Sequence, residues 1–84
     1  MSNVAETALQ TYNGWKNWET WNVNLWVMNE VGLYQLMLSR LPLDIAGCVL
    51  LVLEMFPNGT PDMEFSSELK DVDFGELVEA WNEE

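Results

Sequence analysis

Asn17-Trp18-Glu19-Thr20-Trp21-Asn22-Val23-Asn24-Leu25-Trp26 is the stretch on which the fold turns. Three tryptophans and three asparagines share ten residues with a single acid. Asn17 suits a helix N-cap, and Glu19 falls in the first turn, where the helix dipole favours a negative charge. The spacing predicts a helix over 18–29. At 100° per residue it does not present one apolar stripe. Trp18, Trp21, Leu25 and Met28 fall on one side, and Val23, Trp26 and Val27 on nearly the opposite one. Asn22 and Asn29 lie in one gap between them, Thr20 and Asn24 in the other. A surface helix needs one apolar face, so this helix is either sandwiched in the core or turns a second face to a partner.

Around it, 84 residues allow one domain, here 1–84, near the lower size limit for a self-sufficient core. An apolar fraction of 49% with five Trp excludes a disordered chain. Residues 1–14 have no clear period and read as a flexible arm or a short lead-in helix, closed by the Asn13-Gly14 turn signal. Beyond a weak point at 29–32, Leu33, Leu36, Met37 and Arg40 recur at helical spacing, and Pro42 ends a second helix over 33–41. Asp44 caps a third, 45–55, apolar on nearly every side. The rival reading makes Ile45–Leu53 a buried strand, because Ile45, Val49 and Val52 are β-branched. The stretch 56–62 is a turn-rich loop. The last helix is the clearest. Asp73 and Glu76 are spaced as a capping box, Val72 and Leu77 as a hydrophobic staple. Phe74, Leu77, Val78 and Trp81 then follow i, i+3, i+4, i+7. The fold expected is a compact all-α domain of about four short helices, with α+β as the alternative.

Composition also narrows function. No histidine is present, which removes His-based triads, general bases and metal ligands. Asp71-Val72-Asp73-Phe74-Gly75 imitates the start of a calcium loop, but its glycine comes at the fifth position and Asn82 stands at the twelfth. Phosphate-binding glycine loops are absent as well, so no enzyme activity, metal or other cofactor is expected. The single Cys48 cannot form an intrachain disulfide and reads as a small buried hydrophobe in a reducing cytoplasm. The longest apolar run has nine residues, against about twenty for a spanning helix, and the N-terminus lacks a signal-peptide pattern, so no membrane association is expected.

Charge is the second organising feature. The net charge is −11: residues 1–42 carry three acids against two bases, residues 43–84 eleven acids against one. Phosphates and anionic lipids should repel such a chain, so direct nucleic-acid binding is not expected and a basic protein surface is the favoured partner. Glu76, Glu79 and Glu83 line the polar side of the last helix and can approximate a row of phosphates, extended by Glu64, Glu68 and Asp71. The competing reading is a solvated face that keeps a hydrophobic small protein soluble. Two facts favour a use beyond solubility: the acids exceed that need, and Glu83-Glu84 sit at a helix C-terminus, where the dipole disfavours them. Trp18, Trp21 and Trp81 are assigned to the core. Trp15 and Trp26, off the main stripe, are nominated as contact residues, since Trp is enriched at binding hot spots.

The N-x-E-T-W-N-V-x-L-W signature over Asn17–Trp26 resembles that of short, uncharacterised proteins of bacteriophages and plasmids. Trp15, Asn29-Glu30, Gly32-Leu33-Tyr34, Thr60-Pro61-Asp62-Met63 and the Val72-Asp73-Phe74 to Trp81 tail extend the likeness across most of 12–82. Asn24 departs from it, standing where a small apolar residue is expected, and Ile45–Leu53 carries less charge than expected. The resemblance assigns no residue a role. Its implication is a small phage protein that binds and disables a host enzyme or defence system in the host cytoplasm. The function expected is therefore a non-catalytic acidic inhibitor of a nucleic-acid-binding enzyme, acting by DNA mimicry. The alternative is a helical adaptor or homodimer built on the Trp-rich helix and the apolar third helix.

Overall fold

The computed structural model describes residues 12–64 and 69–84. Glu68, and the arm expected over 1–14 as far as residue 11, lie outside the described residues. The chain runs α1 (Trp18–Asn29), α2 (Val31–Ser39), α3 (Ile45–Met55), a two-residue hairpin of β1 (Gly59–Thr60) and β2 (Met63–Glu64), a 3₁₀ turn (Leu69–Asp71) and α4 (Phe74–Trp81). The fold is all-α; the hairpin, with Thr60 opposite Met63, is a minor feature. Ile45–Leu53 is helical throughout, so the strand alternative falls. Once Asp44 Oδ1 caps it by accepting the Gly47 N–H at 2.7 Å, a local ladder satisfies this apolar run. The break between α1 and α2 is confined to Glu30, in extended conformation. The second helix therefore spans 31–39 rather than the expected 33–41.

α1 packs against α2 and α4, and α3 against α4. Val23, Val27, Met37, Cys48, Leu51, Val52, Phe56, Met63, Val72, Leu77 and Trp81 form the buried core, with Trp15, Trp18 and Trp26 half-buried around it. Trp81 is fully buried, as assigned. Trp21 is not a core residue: half-buried, it meets the Tyr12 ring at a centroid distance of 4.8 Å and stands outside the core cluster. The interior positions of α1 include Thr20 and Asn22, at 0% and 1% exposure.

That inversion explains the two-sided pattern of α1: its polar residues are fasteners. Thr20 Oγ1 donates to Asn17 Oδ1 at 2.6 Å and accepts the Asp73 N–H at 2.8 Å. Asn17 Nδ2 donates to the Asp71 carbonyl at 2.6 Å. Asn22 Nδ2 donates to Asp62 Oδ2 at 2.8 Å, and Asn22 Oδ1 accepts the Thr60 hydroxyl at 2.6 Å. Asn24 Oδ1 accepts the Trp81 indole N–H at 2.9 Å. α1 is thus sandwiched: one polar edge holds the lead-in to α4, another holds the hairpin. Asn82 closes the other end of α4, accepting the Leu43 N–H at 2.8 Å and donating to the Leu43 carbonyl at 2.9 Å.

Candidate functional site: an acidic groove beside Trp15

The site begins with the turn Tyr12-Asn13-Gly14-Trp15. Tyr12 and Trp15 exchange both backbone hydrogen bonds, at 2.6 and 2.8 Å. Asn13 and Gly14 take φ of 50° and 90°, a left-handed pair that Asn-Gly adopts at little cost. The reversal sets Trp15 half-buried on the core and hands the chain to α4. There the Lys16 N–H donates to Glu76 Oε1 at 2.9 Å, and Lys16 Nζ stands 3.7 Å from Asp73 Oδ2.

Those contacts revise the capping box. Asp73 does cap α4, its Oδ1 accepting the Glu76 N–H at 3.0 Å. The reciprocal bond is absent, because the Asp73 N–H is given to Thr20 and the Glu76 carboxylate to Lys16. Glu76 joins α4 to the Trp15 turn rather than closing its own helix. The staple pair, Val72 and Leu77, is buried as the spacing required.

Gly14, Trp15, Glu76, Glu79, Ala80 and Glu83 line an open groove of about 400 Å³. Four of the residues nominated from sequence, Trp15, Glu76, Glu79 and Glu83, therefore meet although one is separated from the rest by some sixty positions. Glu79 and Glu83 are exposed and Glu76 half-buried, while Leu77 and Trp81 face the core. The three carboxylates fall within about 10 Å of helix rise. An indole face beside carboxylates suits a guanidinium or ammonium group, which the ring quadrupole and the charges attract together.

Trp26 and Asp71 are not among the residues that line the groove, and Glu68 lies outside the described residues. Trp26 is spent on the fold: its indole N–H donates to Asp62 Oδ2 at 2.9 Å. Asp71 is exposed, and its carbonyl serves Asn17. Glu64 enters through its backbone, paired with Gly59. Sequence reasoning missed Asp62, whose carboxylate collects both Asn22 and Trp26. These two hydrogen bonds, Asn22 first, hold its pKa below the ordinary carboxylate value against a smaller opposing effect of burial. The available signal was the number of indole and amide donors on α1 that needed acceptors. Among the described residues, no helix is long and apolar enough to cross a membrane, and no group of three potential ligands is placed to hold a metal ion.

Residues 8–47, just under half of the chain, match the family of unknown function DUF7249. The match spans the Trp15 turn, α1, α2 and the start of α3, and leaves the α4 wall of the groove outside it. No curated protein and no solved structure matches the chain.

Proposed function

We propose that the protein is a non-catalytic binding protein that docks a basic surface of another protein against the Trp15–α4 groove. In the fullest form of this reading it is phage-encoded, works in the host cytoplasm, and inhibits a nucleic-acid-binding enzyme by imitating a row of phosphates. The observation that carries it is the convergence of Trp15 with Glu76, Glu79 and Glu83 on one open groove. Two features of the acids support a use beyond solubility. Glu79 lies in the last turn of α4 and Glu83 just past its C-cap, Asn82, where the dipole gains nothing from a negative charge. In addition, Glu79 and Glu83 have no ionic partner among the described residues.

The test is the Glu79→Lys/Glu83→Lys double reversal, with Trp15→Ala as a separate variant, against a partner captured from host lysate. Glu76 is spared because its contact with Lys16 belongs to the fold. Association with the partner should slow for the double reversal, and its dependence on salt should flatten. Trp15→Ala should mainly speed dissociation, as loss of an aromatic anchor does. Unchanged rates and salt slope in the double reversal would leave the acids as solubilising surface and refute the reading.

A further inference from the structure

Two of the chain's asparagines, Asn13 and Asn58, precede a glycine. With no Cβ on the following residue, the glycine nitrogen is open to close approach by the asparagine side chain. The fold treats the two pairs differently. Asn13 and Gly14 are both exposed, at the tip of the Tyr12–Trp15 turn. Tyr12 and Trp15 make the two backbone hydrogen bonds of that turn, so the Gly14 N–H has no acceptor among the described residues. A Cβ built on Gly14 would meet nothing within 4 Å. Asn58 is exposed as well, but Gly59 is half-buried and donates its N–H to the Phe56 carbonyl at 3.1 Å. Gly59 is also paired with Glu64 in the hairpin that Asn22 and Thr60 fasten to α1.

We propose that Asn13 is a site of spontaneous covalent modification, converting through a cyclic imide to aspartate and isoaspartate, while the fold protects Asn58. Hydroxide removes the Gly14 amide proton, and the Gly14 nitrogen attacks Asn13 Cγ. The new N–Cγ bond closes a five-membered ring as the Cγ–Nδ2 bond breaks. The leaving nitrogen takes a proton from water and departs as ammonia, which regenerates the hydroxide. Water then opens the ring. Cleavage of the new N–Cγ bond leaves aspartate. Cleavage between the Gly14 nitrogen and the Asn13 main-chain carbonyl leaves isoaspartate, with the chain running through Cβ and Cγ. The sum is one water consumed and one ammonia released, with no oxidant or reductant. At Asn58 the same first step must give up the Gly59–Phe56 hydrogen bond. Either product at Asn13 sets a carboxylate next to Gly14, a lining residue of the Trp15 groove. Isoaspartate also lengthens by one carbon the main chain between Tyr12 and Trp15, whose paired hydrogen bonds hold the turn. The modification stands whether or not that groove binds a basic partner.

Incubation of the full chain at mildly alkaline pH, beside a parallel sample in urea, tests it. Peptide mapping by mass spectrometry reads the conversion rate at each asparagine. In urea both Asn-Gly pairs are unfolded and should react at comparable rates. In the native chain the ratio of the Asn13 rate to the Asn58 rate should rise at least about threefold above its value in urea, since one hydrogen bond must break first at Asn58. Asn13→Gln, whose imide needs a larger ring, should suppress the more acidic form that accumulates in the native protein. A smaller rise in the ratio overturns the proposal. So does a native chain that stays unmodified at Asn13 while the urea sample converts at both positions, or an acidic form that accumulates undiminished in Asn13→Gln.

Discussion

Asn22→Ala removes the residue on which the hairpin is hung. Asn22 is 1% exposed and joins α1 to Thr60, itself 7% exposed, through a 2.6 Å hydrogen bond. The Thr60 oxygen keeps the N–H groups of Asp62 and Met63, at 3.1 and 3.2 Å, so only its hydroxyl hydrogen loses a partner. Losing that bond and leaving the donor buried without an acceptor costs about 2–3 kcal/mol. The Asp62 carboxylate is exposed and takes water in place of the Asn22 amide, so it adds little. For a domain of this size, a loss of that order lowers Tm by roughly 10–20 °C. Thermal and urea melts followed by far-UV circular dichroism read the change. Asn22→Asp sharpens the test, because a second carboxylate would then face Asp62 at the 2.8 Å now spanned by a hydrogen bond. That variant should be less stable than Asn22→Ala at neutral pH and recover part of the difference as acid protonates the pair. If Asn22→Ala melts within about 2 °C of wild type, well under one kcal/mol on the same scale, the hairpin is not fastened through Asn22 and the account of α1 fails.

Three further outcomes follow from the same geometry. Trp81→Ala should cost about 3–5 kcal/mol, since the ring is fully buried and its N–H serves Asn24; Trp21→Ala should cost only about 1–2 kcal/mol for a half-buried ring in tilted contact with that of Tyr12, and equal denaturation midpoints for the two would contradict their placement. Because the hydrogen bonds from Asn22 and Trp26 depress the Asp62 pKa, its contribution is present above the unfolded-state value and is lost as pH falls through the folded one. Asp62→Asn should therefore flatten the acid limb of stability below about pH 4, and melts from neutral pH downward that keep the wild-type slope would rule this out. Cys48 is buried, and burial pushes its thiol up to about 12, so alkylation at mildly alkaline pH should be slow in the folded protein and rapid in urea; brisk labelling without denaturant would place Cys48 at the surface.

Local rules made most of the elements legible in the sequence. Asn17, Asp44 and Asp73 each cap a helix where their spacing to the next apolar run places a start, because an N-cap answers to a neighbour three residues away. The Phe74, Leu77, Val78, Trp81 stripe marks the buried side of α4 for the same reason. What stayed hidden depends on partners distant in sequence. The Asp73 N–H could serve Glu76 or Thr20, and only the docking of α1 on α4 decides for Thr20. Trp21 and Trp81 each fall on an apolar stripe by spacing, yet one meets the Tyr12 ring and the other the core. Half of the candidate site was equally legible: Glu76, Glu79 and Glu83 share a helix face by spacing alone. That Trp15 lines the groove with them depends on an Asn-Gly reversal whose direction periodicity does not encode.

The polar letters of the 17–26 signature therefore have an architectural cause. Asn17, Thr20, Asn22 and Trp26 each end on a backbone or side-chain group between Thr60 and Asp73. A residue buried in such a contact cannot also be offered to a partner without unfastening the hairpin or the lead-in to α4. The groove of the proposed function draws instead on Trp15, Glu79 and Glu83, none of which is used in these fastenings. Substitutions inside the signature should consequently act on any binding only through stability, whereas changes at Glu79 or Glu83 should act on association with the melting temperature nearly unmoved. A variant such as Thr20→Val that abolished binding while melting like wild type would break this division, because it would give the signature a contact role that its buried hydrogen bonds exclude.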